Sequence, residues 1–216
     1  MTSSSSHPQR TGGQLIVDQL LTHGAELAFC VPGESYLPVL DALYTVRDRI
    51  KLITCRHENG AANMAEAYGK LTGKPGICLV TRGPGATNAS IGVHTAFQDS
   101  TPMILLIGQV GTDFMEREAF QEIDYRRMFG PMSKWVAQID RTDRIPEFIA
   151  RAYQVATSGR MGPVVLALPE DVLTGTAAVA DARPWQRIES APSPEALSQL
   201  SQMFGEAQRP FLLVGG

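Results

Sequence analysis

The chain has 216 residues, of which 44% are hydrophobic and 19% are charged, so it is long enough for one large folded domain and part of another. The formal net charge is −3, with 19 Lys and Arg residues scattered among 22 Asp and Glu residues. This distribution excludes nucleic acid as the main partner, because phosphate binding needs a concentrated basic surface. The sequence has no apolar run long enough to span a bilayer.

The cysteines and the first residues indicate the compartment. Cys30, Cys55 and Cys78 are an odd set, and each lies in or beside an apolar strand-like segment, which is typical of buried thiols in a reducing cytoplasm. We therefore expect no disulfide framework, no metal site and a cytoplasmic protein. Residues 1–7 lack the apolar core of a signal peptide, and we expect residues 1–11 to form a disordered tail.

In chain order, strand-like and helix-like segments alternate from residue 12 to residue 173. Apolar runs predict strands at 27–31, 51–54, 76–81, 103–108, 135–138 and 164–168. Apolar residues at helical spacing predict helices at 12–22, 36–47, 59–71, 87–98 and 144–158. The run at 103–107 is apolar throughout, as expected for a strand that is buried on both faces. The fold class is therefore predicted to be α/β, a doubly wound three-layer α/β/α sandwich with a mainly parallel sheet.

The composition changes after Asp171, where Gly, Ala, Asp, Arg and Pro become frequent. We interpret residues 174–194 as a linker and residues 195–216 as the truncated start of a central α/β domain. Within that start, the sequence predicts a helix at 195–204 and a strand at 211–216.

Glu58 lies where a predicted strand ends and a predicted helix begins. Such a position is at the carboxyl edge of a parallel sheet, where open α/β folds bind their ligands. A carboxylate there is more often a structural group that interacts with the positive end of the helix dipole. The residues alone leave both interpretations open.

A second helix start follows the strand at 76–81. Residues 81–88 contain Gly83, Gly85 and Asn88 in a Gly-x-Gly-x-x-Asn pattern, which lacks the third glycine of a dinucleotide-binding fingerprint. A dinucleotide-binding domain is therefore a weaker alternative, and the glycines also suit a tight turn between a strand and a helix.

Four separated motifs carry a family resemblance: Arg56-His57-Glu58, residues 81–88, Ala119-Phe120-Gln121-Glu122 and residues 159–164. In this order they resemble the acetolactate synthase-like family of thiamine diphosphate enzymes, and residues 12–171 resemble its pyrimidine-binding domain. The resemblance implies chemistry on a small-molecule 2-oxo acid by a transferase (carboligase) or a lyase (decarboxylase). A non-catalytic assembly or regulatory module of the same fold is the alternative, which the intact Glu58 disfavours.

The resemblance also assigns roles to residues. Glu58 matches the catalytic glutamate that hydrogen-bonds N1′ of the aminopyrimidine and so promotes loss of the proton from C2 of the thiazolium ring. The other cofactor-facing positions are Val31, Pro32, Gly33, Thr81, Pro84, Asn88 and Gln121. The positions on the substrate side are Glu34, Ser35, Phe120 and Gln121. Arg56 and His57 are interpreted as structural or interface residues.

In the family, a C-terminal domain with a Gly-Asp-Gly motif holds magnesium and the diphosphate, and no such motif occurs in this sequence. We therefore expect an N-terminal piece of a longer enzyme, or one half of a split enzyme, that is inactive alone. The resemblance further implies a homodimer or homotetramer with the cofactor at a subunit interface, and it leaves open whether FAD is bound.

The sequence departs from the family pattern at three places along the chain. Acetolactate synthases have small residues where this chain has Glu34-Ser35-Tyr36, a serine where it has Arg82 and a lysine where it has Glu170. Added bulk and reversed charge beside a reaction centre change which acyl group fits. Pyruvate is therefore not implied as the substrate, and the 2-oxo acid and its acceptor stay unassigned.

Overall fold

The computed structural model describes residues 7–213. Its strands are β1 (Gln9–Thr11), β2 (Leu27–Cys30), β3 (Lys51–Thr54), β4 (Gly76–Val80), β5 (Met103–Gln109), β6 (Trp135–Gln138), β7 (Pro163–Pro169) and β8 (Thr176–Ala178). Its helices are α1 (Gly12–Thr22), α2 (Leu37–Thr45), α3 (Glu58–Thr72), α4 (Gly83–Gln98), α5 (Tyr125–Phe129), α6 (Ile145–Thr157), α7 (Glu170–Thr174) and α8 (Pro194–Glu206).

Six strands form the central sheet in the order β3-β2-β4-β5-β7-β6, and every neighbouring pair is parallel. The predicted α/β fold class with a parallel sheet is thus confirmed. β3 lies on one side of β2 and β4 lies on the other, so the connections change direction there, at the switch point of a doubly wound sheet. The carboxyl ends of β2, β3 and β4 meet at this edge, and the segments that follow them carry most of the predicted site residues.

The sheet is covered on both faces, because successive strand residues point to opposite sides. On β4 and β5, Leu79 and Leu106 belong to a core cluster with residues of α1, α2 and α6. Their neighbours Cys78 and Leu105 belong to a second cluster with residues of α3, α4 and α5. β5 is buried along its whole length, which explains the uninterrupted apolar run at residues 103–107.

The second face is built from small residues, so α3 and α4 approach closely. A Cβ atom added at Gly92 of α4 would lie 2.6 Å from Cβ of Ala62 on α3. The buried residues of these two helices are mostly alanine and glycine. This close contact matters for the site, because Glu58 and Asn88 lie on these two helices.

The three cysteines are free thiols. Cys30 and Cys78 are buried, and Cys55 is half-buried. Burial raises the pKa of all three thiols above the ordinary value, so they are neutral near pH 7.

Residues 9–11, which the sequence assigns to the tail, form β1 in the structure. β1 pairs with β8 in an antiparallel ladder in which Arg10 lies opposite Ala177. The Arg10 guanidinium donates hydrogen bonds to Asp18 and Asp181, both at 2.7 Å. These three polar residues give no strand signal by themselves. Their partner strand, β8, lies near the other end of the described chain. Residues 1–6, the rest of the expected tail, lie outside the described residues.

The segment predicted as a linker begins with β8 and then continues along the domain surface. The backbone N–H of Trp185 donates to Nδ1 of the buried His23 at 3.0 Å, and its indole Nε1 donates to Thr157 Oγ1 at 3.0 Å. The Trp185 ring also packs against Tyr153 at 6.0 Å between ring centroids. Residues up to 185 are therefore attached to the domain rather than free.

The last described helix, α8, includes the predicted helix at 195–204 and extends it by a residue or two at each end. Its N-cap is Ser193, whose side chain accepts a hydrogen bond from the Ala196 N–H at 3.2 Å. Of the strand predicted at 211–216, residues 211–213 are irregular and the remainder lies outside the described residues. No helix within residues 7–213 is long and apolar enough to cross a membrane.

Candidate active site

Glu58 is the first residue of α3, directly after the short loop that leaves β3. The N-cap is His57, whose Nδ1 accepts a hydrogen bond from the Asn59 N–H at 3.2 Å. His57 therefore supplies the cap of α3. Glu58 is not needed for that cap, and it lies in the first turn at the carboxyl edge of the sheet.

The Glu58 carboxylate has a neutral partner. Its Oε2 accepts a hydrogen bond from Nδ2 of Asn88 on α4 at 2.9 Å. Its Oε1 faces Gly85, where an added Cβ would lie 3.4 Å from that oxygen and 3.1 Å from Cγ2 of Thr81. One oxygen of the carboxylate is therefore oriented by Asn88, while the other faces a cradle at Gly85 that a single Cβ atom would fill.

A cavity of about 370 Å³ lies beside Asn88, the hydrogen-bond partner of Glu58. Its lining residues are Gly83, Pro84, Thr87, Asn88, Gln121, Glu122 and Ile123. Three of the predicted cofactor-facing residues, Pro84, Asn88 and Gln121, are thus brought together around one space. The Gln121 carbonyl accepts a hydrogen bond from the Gly83 N–H at 2.9 Å, which attaches the 110–123 loop to the start of α4.

The turn after β2 packs against Thr81, which directly follows β4. Gly33 lies against Thr81, because an added Cβ there would be 2.7 Å from the Thr81 Cβ. The hydroxyl groups of Ser35 and Thr81 are hydrogen-bonded at 2.9 Å, and Tyr36 donates its hydroxyl proton to the Val31 carbonyl. Burial raises the pKa of Tyr36, which keeps it a neutral donor. The residues predicted at this turn therefore pack beside Thr81.

The loop before Ile123 is held in an unusual backbone conformation. Glu116, Glu118 and Gln121 have φ angles of 59°, 53° and 64°, in the left-handed region that non-glycine residues seldom adopt. The carboxylate of Glu122 stabilises this loop by accepting hydrogen bonds from the N–H groups of Glu116 and Ala119, at 2.7 and 3.2 Å. Strained loops of this kind are concentrated at functional sites.

Phe120 is the predicted site residue that the structure leaves apart. Its side chain is 71% exposed and lines neither of the cavities beside the loop. Gln121, next to it, does line the smaller cavity. The loop thus presents Phe120 to its surroundings rather than to the space beside Glu58.

A charged cluster that the sequence did not predict joins three strand ends. Arg82, just before α4, donates from Nη1 to Oε1 of Glu34 at 3.3 Å and from Nη2 to Oε1 of Glu170. Glu34 follows β2, and Glu170 begins α7 after β7. We call these three residues the Arg82 cluster. All three are positions where the sequence departs from the family pattern, and only the fold shows that they are in contact.

A larger cavity, of about 640 Å³, lies on the other side of the 121–123 segment, towards β6. Its lining includes Gln109, Tyr125 and Gln138 but neither Glu58 nor Asn88. Of these two cavities, the smaller is the one lined by Asn88, the hydrogen-bond partner of Glu58.

The donor set beside Glu58 fits an aminopyrimidine ring. A carboxylate oriented by an amide, the cradle at Gly85 and the apolar ring of Pro84 provide one proton-sharing contact and one packing surface. The described residues 7–213 contain no group of three His, Cys, Asp or Glu side chains that could hold a metal ion. The site therefore suits the ring half of thiamine diphosphate, and the chain's described part offers no matching set for its magnesium.

The chain is similar in sequence to thiamine pyrophosphate enzymes and to acetolactate synthase subunits. The sequence profile of the family described as "Thiamine pyrophosphate enzyme, N-terminal TPP binding domain" matches residues 10–128. The acetolactate synthase isozyme 2 large subunit of Escherichia coli is 38% identical over 208 residues, which are 95% of this chain and 37% of that protein.

Two further relatives extend the range of organisms. The acetolactate synthase large subunit of Corynebacterium glutamicum is 36% identical over 217 residues, covering 98% of this chain and 34% of that protein. The acetolactate synthase catalytic subunit of Aspergillus candidus, named as mitochondrial, is 43% identical over 166 residues, covering 77% of this chain and 24% of that protein. The chain thus spans between about a quarter and a little over a third of the length of these relatives.

Proposed function

Because this chain belongs to the thiamine pyrophosphate enzymes as an N-terminal TPP-binding domain, we propose that it forms the pyrimidine-binding half of a catalytic site for 2-oxo acids. The other half, which holds magnesium and the diphosphate, is supplied by a second domain or subunit. The reaction is a carboligation or a decarboxylation, as in enzymes related to the acetolactate synthase large subunits. We expect the protein to act in the cytoplasm.

The observation that carries this proposal is the position of Glu58. Its carboxylate lies at the switch-point edge of the sheet, is oriented by the 2.9 Å hydrogen bond from Asn88, and borders the cradle at Gly85. A carboxylate used only to cap α3 needs neither feature, and His57 already fills the N-cap position. The arrangement therefore supports a role for Glu58 beyond stabilising a helix start.

In the proposed mechanism, the bound cofactor supplies a carbon nucleophile at C2 of its thiazolium ring and an electron sink for the loss of carbon dioxide. Glu58 holds a proton at N1′ of the aminopyrimidine, and Asn88 fixes the carboxylate in the orientation that this contact needs. Gly85 places no side chain against the carboxylate, and Pro84, which lines the cavity, would pack against the ring. Gln121 and the turn at Val31, Pro32 and Gly33 close the sides of the site and limit the access of water.

A non-catalytic assembly module with the same fold is the second candidate. The two candidates differ in what the Glu58 carboxylate is for. A helix-start charge contributes about 0.3–1 kcal/mol to stability, whereas a positioned acid–base group contributes roughly a hundred- to ten-thousandfold in rate. The size of the effect of removing the ionisable oxygen therefore separates them.

The test is the turnover of 2-oxo acids by the complete enzyme, supplied with thiamine diphosphate and magnesium. Glu58→Gln is expected to lower kcat by about a hundredfold or more. Glu66→Gln is the matched control, because Glu66 is a buried glutamate two turns along the same helix, hydrogen-bonded to Thr101 at 3.1 Å. A Glu58→Gln variant as active as the Glu66→Gln variant would refute the proposed role of Glu58.

A further inference from the structure

The end of the loop before Ile123 is held tightly against the start of α4. The Gln121 carbonyl accepts a hydrogen bond from the Gly83 N–H at 2.9 Å, and a Cβ atom added at Gly83 would lie only 2.8 Å from that oxygen. Nε2 of Gln109, a buried residue at the end of β5, donates to the Ile123 carbonyl at 3.3 Å. The segment 121–123 therefore forms a fixed wall between the two cavities, and two of its residues line both of them.

The backbone that leads into this wall is in an unfavourable conformation. Gln121 has a φ angle of 64°, and Glu116 and Glu118 earlier in the loop have φ angles of 59° and 53°. The left-handed region is unfavourable for a residue that carries a Cβ atom, and it persists where surrounding contacts fix it. Contacts within the loop must therefore offset the free energy of three such residues.

Glu122 supplies these contacts. Its Oε1 accepts a hydrogen bond from the Glu116 N–H at 2.7 Å, and its Oε2 accepts one from the Ala119 N–H at 3.2 Å. Its own N–H donates to the Ala119 carbonyl at 3.0 Å. Hydrogen bonds from backbone N–H groups to an ionised carboxylate are stronger than those between neutral groups. Both carboxylate oxygens are thus directed to the loop, although Glu122 also lines the two cavities.

A carboxylate suits this task better than a neutral side chain of the same shape. Both of its oxygens are acceptors, whereas the amide of glutamine has one acceptor oxygen and one NH₂ donor. In a Glu122→Gln variant, that NH₂ group would face a backbone N–H that is itself a donor. One of the two hydrogen bonds to Glu116 and Ala119 would be lost, and the left-handed residues could relax.

We propose that Glu122 is a positioning residue of the candidate active site and that it acts through Gln121. By holding the loop in its left-handed conformation, Glu122 keeps Gln121 in the wall of the 370 Å³ cavity, beside Pro84 and Asn88. The inference rests on the proposed function, because it adds a residue to the half-site for the aminopyrimidine. Glu122 is not a catalytic residue, since its carboxylate oxygens bind the loop rather than the reacting atoms.

Hydrogen exchange of single amides, followed by NMR in the 216-residue chain, tests the positioning role without any cofactor. In Glu122→Gln, the amides of Glu116 and Ala119 are expected to exchange about tenfold faster than in the wild type. The Gly83 amide should also exchange faster. Its acceptor is the Gln121 carbonyl, so its exchange reports whether Gln121 has moved rather than whether a bond to Glu122 is lost.

Glu118→Gln is the matched control. It makes the same change of charge at an exposed position of the same loop, which lines the larger cavity but not the smaller one. Exchange of the Gly83 amide should be the same in Glu118→Gln as in the wild type. Any general effect of removing a negative charge from the loop would appear in both variants.

Affinity for the cofactor shows whether this position matters to the site. Calorimetry of the complete enzyme with magnesium should show thiamine diphosphate to bind about tenfold more weakly in Glu122→Gln than in Glu118→Gln. In a Gln121→Ala background, Glu122→Gln should cause no further loss of affinity, because the residue through which it acts has been removed. Additive losses would show that Glu122 acts independently of Gln121 and would overturn the inference.

Failure of this inference can be distinguished from failure of the proposed function. Unchanged exchange of the Gly83 amide in Glu122→Gln, or unchanged affinity for the cofactor, would each overturn the inference while leaving the role of Glu58 intact. Faster exchange and weaker binding in Glu122→Gln, together with a fully active Glu58→Gln enzyme, would support the inference and refute the proposed role of Glu58.

Discussion

The contact between α3 and α4 provides a prediction whose size follows from the structure. A methyl group added by Gly92→Ala would lie 2.6 Å from Cβ of Ala62 and 2.7 Å from its carbonyl carbon. Ordinary contacts between carbon atoms are about 3.5–4.0 Å, so the helices would have to separate by roughly 1 Å. Overpacking of a filled interior costs about 1–3 kcal/mol. Against this, alanine stabilises a helix by up to about 1 kcal/mol relative to glycine.

Gly60→Ala separates these two effects. Gly60 is likewise a helical glycine, in α3, but a Cβ atom added there would have no neighbouring atom within 4 Å. Urea unfolding followed by circular dichroism should therefore show Gly60→Ala to be as stable as the wild type or more stable. The free energy of unfolding of Gly92→Ala should lie below that of Gly60→Ala by about 1–3 kcal/mol. Equal stabilities of the two variants would refute the close packing of α3 on α4.

Three further predictions concern pH, cofactor and assembly. Burial lowers the pKa of His23 from 6.5, and its neutral form accepts the hydrogen bond from Trp185. The stability that depends on this neutral form is therefore complete above about pH 6.5 and is lost as the pH falls. Urea unfolding at about pH 5.5 and 7.5 should show this loss in the wild type and not in His23→Gln. Calorimetry should show weak binding of thiamine diphosphate to the 216-residue chain, without dependence on magnesium; tight, magnesium-dependent binding would contradict the proposed half-site. Sedimentation at micromolar concentration should show a dimer, because Met64 on α3 and Ile91 on α4 are 39% and 57% exposed, and a monomer alone would count against an interface on this face.

The central sheet could be predicted from sequence almost residue by residue, because β4, β5 and β7 are buried throughout and rich in apolar residues, and helices separate the strands along the chain. The sequence predicts the start of α4 at residue 87, whereas the helix begins at Gly83. Its first residues are Gly83, Pro84 and Gly85, which suggest a turn. Proline is nevertheless favoured in the first turn of a helix, where its missing N–H would have no partner. Pro84, which is predicted to face the cofactor, consequently lies in the first turn of the helix rather than before it.

The short elements could not be predicted, because too few residues repeat to give a period. α5 has five residues, and its start is stabilised by Asp124, which accepts hydrogen bonds from the N–H groups of Arg126 and Arg127. β1 and β8 depend on each other across most of the described chain. Such elements are specified by their partners, and those partners are not local in the sequence.

In the candidate site, too, contacts between residues that are distant in the sequence could not be predicted. Sequence motifs identified Glu58, Arg82 and Asn88 one at a time, but not the contacts that join them to other residues. The hydrogen bond between Glu58 and Asn88 links residues 30 positions apart, and the contact between Arg82 and Glu170 links residues 88 positions apart. Pair contacts of this range depend on the order of the strands in the sheet, which the alternation of strands and helices does not specify.

Exchange of the C2 proton of the cofactor tests most directly whether the Glu58 carboxylate activates the cofactor. In the complete enzyme loaded with thiamine diphosphate and magnesium, NMR would follow the replacement of this proton by deuterium. Glu58→Gln retains the shape of the side chain and its packing but removes the ionisable oxygen, so exchange is expected to slow by about a hundred- to ten-thousandfold. Unchanged exchange in a Glu58→Gln enzyme that is folded and loaded with cofactor would show that Glu58 serves only the start of α3, and the catalytic assignment would be wrong.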